Sequence, residues 1–258
     1  MSEKNREGKR AARERLAAER EKQKTAEKRR RTLIVGATVV CVLGLAAVIG
    51  VVAANSGGDD DGGDTASGPV SAPQGAAGTD RLAIPVGKEA AKSTLTIWED
   101  FRCPACKSFE DTYRTTLHEL TDAGKLKVEY HLVTLIDSNM GGSGSLRAGN
   151  AAGCAQDAGR FRDYHDVLYE NQPEETDDAF SKNGRLIELA GKVDGLTSDT
   201  FTSCVNDGRH DSWIQKSYKK FQDDKLSGTP TVILNGKTLD LNTLSPDKLK
   251  QQVEAADQ

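Results

Sequence analysis

The apolar positions of residues 81–258 change period several times, and each change marks an element. Thr94-Leu95-Thr96-Ile97-Trp98 is a strand-like run, which places a strand at 93–99. Phe109, Tyr113, Leu117 and Leu120 then recur at i, i+4, i+8 and i+11. That is helical spacing, and it predicts a helix over 104–122 ended by Gly124. Leu126, Val128, Tyr130 and Leu132 alternate with Lys127, Glu129 and His131, which predicts a strand at 126–133. Two parallel strands joined by a helix make a right-handed βαβ unit. Gly141-Gly142-Ser143-Gly144-Ser145 breaks the pattern; with no following Gly-Lys-Ser/Thr it predicts a hinge rather than a phosphate cradle.

From about 145 to 226 the period is helical throughout. Five helices are marked in turn by Leu146, Ala148, Ala151, Ala152 and Ala155; by Phe161, Tyr164 and Leu168; by Leu186, Ile187 and Leu189; by Phe201, Cys204 and Val205; and by Ile214, Tyr218 and Phe221. Thr231-Val232-Ile233-Leu234, the hairpin dipeptide Asn235-Gly236 and Lys237 to Leu241 return the chain to β structure. Ser245-Pro246-Asp247 opens a last helix, 246–256, with proline at its first position.

The N-terminal part follows other rules. Leu33 to Ala54 is 22 residues without a charge. At about 1.5 Å per residue it spans roughly 33 Å as a helix, enough for a hydrocarbon core of roughly 30 Å. Residues 1–31 hold 13 Lys/Arg against 6 Asp/Glu, and Asp59, Asp60 and Asp61 follow the span. The positive-inside rule then puts the N-terminus in the cytoplasm and the rest of the chain outside. A cleaved signal peptide is the competing reading, but its apolar region would exceed the usual length. Cys41 lies mid-span as a small apolar residue. The expected division is a basic cytoplasmic tail (1–31), a transmembrane anchor (32–54), a flexible linker (55–80) and one α/β domain (81–258) with a helical insertion at about 145–226. The linker is Gly, Asp, Ser, Ala and Pro with almost nothing apolar. Net charge is −4, and residues 81–258 are mildly acidic, which gives no support to nucleic-acid binding.

Cys103-Pro104-Ala105-Cys106 stands where the first strand gives way to the first helix. A sulfur at the helix N-cap faces free backbone N–H groups and the positive end of the helix dipole, and both favour the reactive thiolate. A zinc site would need a second close pair of ligands, which the isolated Cys41, Cys154 and Cys204 do not supply, so no metal is expected.

The order βαβ, helical insertion, ββα, with Cys103-Pro104-Ala105-Cys106 at the first helix and Gly228-Thr229-Pro230 before the hairpin, resembles the thioredoxin fold in its DsbA-like branch. It is most similar to membrane-anchored DsbA-like thiol–disulfide oxidoreductases of Gram-positive bacteria. The resemblance implies that Cys103 is the exposed nucleophile, that Cys106 is the buried resolving thiol and that Pro230 is cis, with Thr229 offering its backbone to a substrate strand. Pro104, Ala105, Trp98, Glu99 and Asp100 are the expected neighbours of the site. The family often carries a buried acid six residues before the nucleophile; here Ile97 stands there, with Glu99 or Asp100 as the substitute. Ala105 replaces the histidine of strongly oxidising relatives, so a milder oxidant is expected.

None of the four histidines reads as catalytic: His118 lies beside core Leu117, His131 on the polar side of its strand, and His165 and His210 in polar helix surroundings. Cys154 and Cys204, an even pair outside the cell, favour a structural disulfide. The implied function is disulfide donation to unfolded or reduced secreted proteins. No cofactor is expected; the implied partner is a membrane reoxidase of the DsbB or vitamin K epoxide reductase-like kind. The domain reads as a monomer. A reductase or isomerase, or an anchored binding module with locked cysteines, remains the alternative.

Overall fold

The structure is a computed structural model, and residues 70–256 are described in it. The basic tail, the anchor at 32–54 and most of the linker lie outside the described residues. Among the described residues no helix is long and apolar enough to cross a membrane.

Five strands form one sheet: β1 (Ile84–Gly87), β2 (Ser93–Glu99), β3 (Leu126–Leu132), β4 (Thr231–Leu234) and β5 (Lys237–Thr238), in the order β1-β3-β2-β4-β5. β2 is central. It pairs in parallel with β3, setting Leu95 opposite Val128 and Glu99 opposite Leu132, and antiparallel with β4, setting Trp98 opposite Thr231. α1 (Pro104–Asp122) joins β2 to β3. The insertion holds α2 (Leu135–Met140), α3 (Gly144–Asp157), α4 (Phe161–Glu170), α5 (Asn183–Ala190), α6 (Asp199–Asn206) and α7 (Asp211–Asp223), and α8 (Pro246–Ala255) ends the domain.

The alternation of β2 sends its two faces into different cores. Leu95 and Ile97 join the large apolar cluster with Phe109, Tyr113 and Leu117 of α1 and Tyr164 and Leu168 of α4. Trp98 faces the other way and packs with Val133 and Phe221 in a small separate cluster. Helix ends follow their sequence signals: Ser198 accepts the Phe201 N–H at 3.1 Å, and Ser245 accepts that of Lys248 at 3.3 Å. Asn235 and Gly236 both take positive φ, 50° and 82°, as a tight two-residue hairpin turn requires.

Several expectations need correction. β1 adds a strand to the expected elements; as an edge strand paired only with β3 among the described residues it tolerates Pro85. The return strand stops at Thr238 rather than Leu241, because Asp240 turns the chain by accepting the Asn242 N–H at 3.0 Å. The linker shades into the domain before residue 81. The Ser71 carbonyl lies 2.7 Å from His210 Nδ1, and Gln74 donates its N–H to Asp157 at 2.7 Å.

The Gly141–Ser145 stretch is not a hinge. Asp178 accepts the N–H groups of Ser143 and Gly144 at 3.0 and 2.9 Å, and Asp137 accepts those of Ser145 and Leu146, both at 2.9 Å. The glycines allow that approach: a Cβ on Gly142 or Gly144 would stand 2.5 or 2.4 Å from an Asp178 oxygen. Three histidines also differ from expectation, since His131, His165 and His210 are all buried.

Candidate active site

Central strand β2 ends at Glu99 and delivers Asp100-Phe101-Arg102 into a tight turn that starts α1. The Cys103 N–H closes the turn on the Asp100 carbonyl at 2.9 Å. The Asp100 carboxylate accepts the Arg102 N–H at 2.8 Å and the Ile136 N–H at 2.8 Å. Burial raises its pKa to about 7 against the pull of those bonds.

Cys103 is the N-cap of α1, with extended backbone (φ −76°, ψ 118°) and Pro104 just inside the helix. Pro104 and Ala105 are exposed. Cys106, one turn in, is sealed. Both sulfurs are free thiols. Cys103 is only 6 % exposed, so it is a recessed sulfur rather than the open one expected. Its cover is the Thr229–Pro230 turn, whose peptide bond is cis and whose Thr229 carbonyl lies 3.3 Å from the Cys103 sulfur. Gln172 donates to the carbonyls of Phe101 at 2.9 Å and Cys103 at 3.1 Å.

The two sulfurs differ sharply in acidity. The Cys106 thiol donates to Cys103, and with the Thr229 side chain and the N–H groups of Ala105 and Cys106 it lowers the Cys103 pKa to about 6 although burial opposes this. Burial lifts Cys106 well above the ordinary thiol value, and the Cys103 and Glu99 charges push the same way.

Beneath Cys106 lies a buried charged group. Glu99 Oε1 is 2.8 Å from His165 Nε2, and both side chains are sealed. Phe101, Tyr130, Phe161 and Tyr169 surround the imidazole at ring-centre distances of 4.7–5.6 Å. Glu110 is fully buried as well, on α1 four residues beyond Cys106. His165 turns its other nitrogen to Asp166, at 3.6 Å. Against the pull of burial, the carboxylates on its two sides raise the His165 pKa to about 10.

Arg102, next to the nucleophile position and 3 % exposed, ties this turn to the insertion. Its guanidinium meets Asp137 at 2.7 Å, Asp178 at 3.1 Å and the carbonyls of Gly141 at 2.9 Å and Glu175 at 3.1 Å. The same two carboxylates hold the first N–H groups of α3, so a single arginine fixes the insertion against the Cys103 turn.

The structure therefore gathers Cys103, Cys106, Pro104, Ala105, Thr229, Pro230, Glu99 and Asp100 at one end of α1. Trp98 is not among them; it stacks on His131 at 4.0 Å on the opposite face of the sheet. Burial lowers the His131 pKa to about 4. Cys154 and Cys204 form a disulfide between α3 and α6, with Cα atoms 5.9 Å apart.

The sequence reading missed Arg102, Glu110, His165 and Gln172. A signal existed for two of them. Glu110 shares the helix face of Cys106, Phe109 and Tyr113, and His165 falls four residues after Phe161 on the apolar stripe of α4. A polar residue on a buried stripe marks a partnered group.

A C-x-x-C at a helix start, a cis-proline turn over its first sulfur and a sheet of this order define a thioredoxin-fold redox protein. The chain belongs to the thioredoxin family: the family model described as Thioredoxin matches residues 79–255. Within it the chain is a DsbA-like thiol–disulfide oxidoreductase. It is 26% identical over 172 residues to disulfide bond formation protein D of Bacillus subtilis (strain 168), covering 66% of this chain and 74% of that protein. Oxidised DsbA of Mycobacterium tuberculosis superposes with a TM-score of 0.59 and 30% identity, over 67% of this chain and 92% of that one. Reduced DsbG of the same organism gives 0.60 and 30%, over 68% and 87%.

Proposed function

We propose that this protein donates disulfides to reduced secreted proteins, with Cys103 as nucleophile and Cys106 as resolving thiol. The observation that carries this reading is the asymmetry of the pair: Cys103 titrates at about 6, while Cys106 is raised. A stabilised Cys103 thiolate favours the reduced protein and makes the disulfide a better oxidant.

A substrate thiolate attacks Cys103 of the Cys103–Cys106 disulfide. The bond between the two cysteines breaks, and Cys106 leaves as a thiolate that takes one proton. A second substrate thiolate then attacks its own neighbour in the mixed disulfide and expels Cys103, which stays anionic. Two electrons have moved from the substrate dithiol to the protein. Glu99 is the carboxyl group that serves Cys106, in place of the one absent at Ile97; it acts on that thiol electrostatically. The backbone at Thr229, held beside the Cys103 sulfur, pairs with an extended substrate and gives affinity with little sequence preference.

We further propose that residues 32–54 anchor the domain outside the cytoplasm, where a membrane reoxidase restores the disulfide. The uncharged span and the basic residues before it support this. External protease on intact cells should release the domain and leave a small basic fragment. Mature protein starting near Asn55 in the medium would rule the anchor out.

The decisive experiment for the activity is the potential of the Cys103–Cys106 couple, measured with oxidative refolding of a reduced test protein. A potential well above the roughly −270 mV of thioredoxin, with refolding activity that requires Cys103, is expected. A value at or below it assigns the protein to reduction instead.

A further inference from the structure

Cys106 must gain and lose one proton in every cycle, and no solvent reaches it. Next to it lies a cluster that ordinary packing does not explain. Glu99, Glu110 and His165 bring a carboxylate oxygen, a second carboxyl oxygen and a ring nitrogen within 4.8 Å of one another. Glu99 Oε2 and Glu110 Oε1 are buried with no hydrogen-bond partner among the described residues. A buried polar atom left unpaired costs about 1–3 kcal/mol, and two such oxygens beside a thiol that exchanges a proton point to a functional reason. The cluster also has a way out. His165 Nδ1 is 3.6 Å from Asp166 Oδ1, and Asp166 Oδ2 is 3.3 Å from His118 Nε2. The His118 side chain is 32 % exposed.

We propose that Glu99, Glu110 and His165 form a proton store for Cys106, and that His165 is the positioning residue that connects the store to solvent through Asp166 and His118. This deepens the reading of Cys106 as the resolving thiol and rests on it. When Cys106 leaves the disulfide as a thiolate, a proton passes to it from the carboxyl pair, and one proton enters from solvent along His118, Asp166 and His165. When the dithiol is reoxidised, the proton returns the same way. Apart from the disulfide, only N–H, O–H and S–H bonds form or break along that path.

The charges that face His165 set the resting state of the store. They are Glu99 on β2, Glu110, Arg114 and His118 on α1, Asp166 and Tyr169 on its own helix, and Tyr130 on β3. Burial disfavours the imidazolium, but Glu99, Asp166 and Glu110 outweigh it and hold His165 protonated. Burial raises the Glu110 pKa, so it carries a proton at neutral pH, even with the His165 cation beside it. Burial would raise Asp166 too, yet its bonds to His118 and His165 keep it ionised. The store thus holds a protonated Glu110 and a His165 imidazolium, two groups that can release a proton.

The test follows reduction of the Cys103–Cys106 disulfide by a small dithiol, and its reoxidation, in the full chain as a function of pH in light and heavy water. His165→Gln should slow both directions by about tenfold or more at neutral pH, flatten the pH profile and enlarge the solvent isotope effect. His118→Gln should act in the same direction but less, and the Cys103 titration should stay put in both. Unchanged pH profiles and isotope effects in both variants would overturn the proposal. If His165→Gln does not fold, the imidazole nitrogen shifts of His165 in the oxidised and reduced wild type decide: a change with redox state supports the store, and identical spectra overturn it. Failure of the underlying reading looks different, because Cys106 in the wild type would then titrate at or below neutral pH.

Discussion

Replacing Cys106 by alanine should raise the Cys103 pKa, and the size of the rise separates two causes of thiolate stability. The thiol of Cys106 is the largest lowering influence on Cys103, ahead of Thr229 and the N–H groups of Ala105 and Cys106. A hydrogen bond to a charged group contributes about 1.5–3 kcal/mol, which corresponds to roughly one to two pH units. At pH 7 a thiol titrating at about 6 is roughly nine-tenths thiolate. After the substitution the fraction should fall to about one-half to one-tenth. Cys106→Ser keeps a donor and should shift the titration less. The assay is thiolate ultraviolet absorbance against pH, checked by the rate of alkylation of Cys103. A Cys106→Ala titration that coincides with the wild type would refute the reasoning and leave Thr229 and the helix N-terminus as the sources of the effect.

The same pKa has a consequence for stability. The folded pKa of Cys103 lies below the ordinary 9.0, so between about pH 6 and 9 the unfolded reduced chain binds more protons than the folded one. This contribution is fully present above the unfolded value and is lost as pH falls through about 6. It amounts to about 4 kcal/mol in the reduced protein. The oxidised protein has no such term.

Two other outcomes are expected. Replacing both Cys154 and Cys204 by alanine should lower stability by about 4 kcal/mol, from the chain entropy of a loop of this length, and leave exchange rates largely intact; loss of exchange in a folded variant would refute the structural assignment. Arg102→Met should cost about 3–5 kcal/mol in thermal or urea unfolding, because it leaves Asp137 and Asp178 without their shared cation; a loss under about 1 kcal/mol would show that the N–H groups of α3 satisfy those carboxylates alone.

Much of this fold was legible because its elements carry their own punctuation. The bounds of β2 and α1 follow from a strand-like run, a C-x-x-C with proline at the first helical position, and an i, i+4 stripe closed by Gly124. All five insertion helices from α3 to α7 announce themselves by apolar spacing. What was missed depends on partners far away in the chain. β1 exists through its pairing with β3, and the short α2 has one buried residue and leans on the Asp100 carboxylate. The glycine run reads as a hinge locally, yet Arg102, Asp137 and Asp178, scattered over 77 positions, fix it. His165 looked like a surface residue because Glu99, the group that justifies its burial, lies 66 residues earlier.

The position of Trp98 decides how this protein can be watched. Its indole stacks on His131 and packs near Phe221, in a cluster separate from the one that holds the cysteines. Trp213, the other tryptophan, is sealed against the start of the domain and donates to the Arg81 carbonyl at 2.7 Å. Sulfur quenches an indole only on close approach, so the Trp98 emission is a gauge of folding and not of oxidation state, whereas Trp213 belongs to the cluster that also holds Cys103 and Cys106. Reduction should leave the Trp98 emission nearly unchanged, so a redox titration read on that indole will have to be replaced by trapping the thiols chemically.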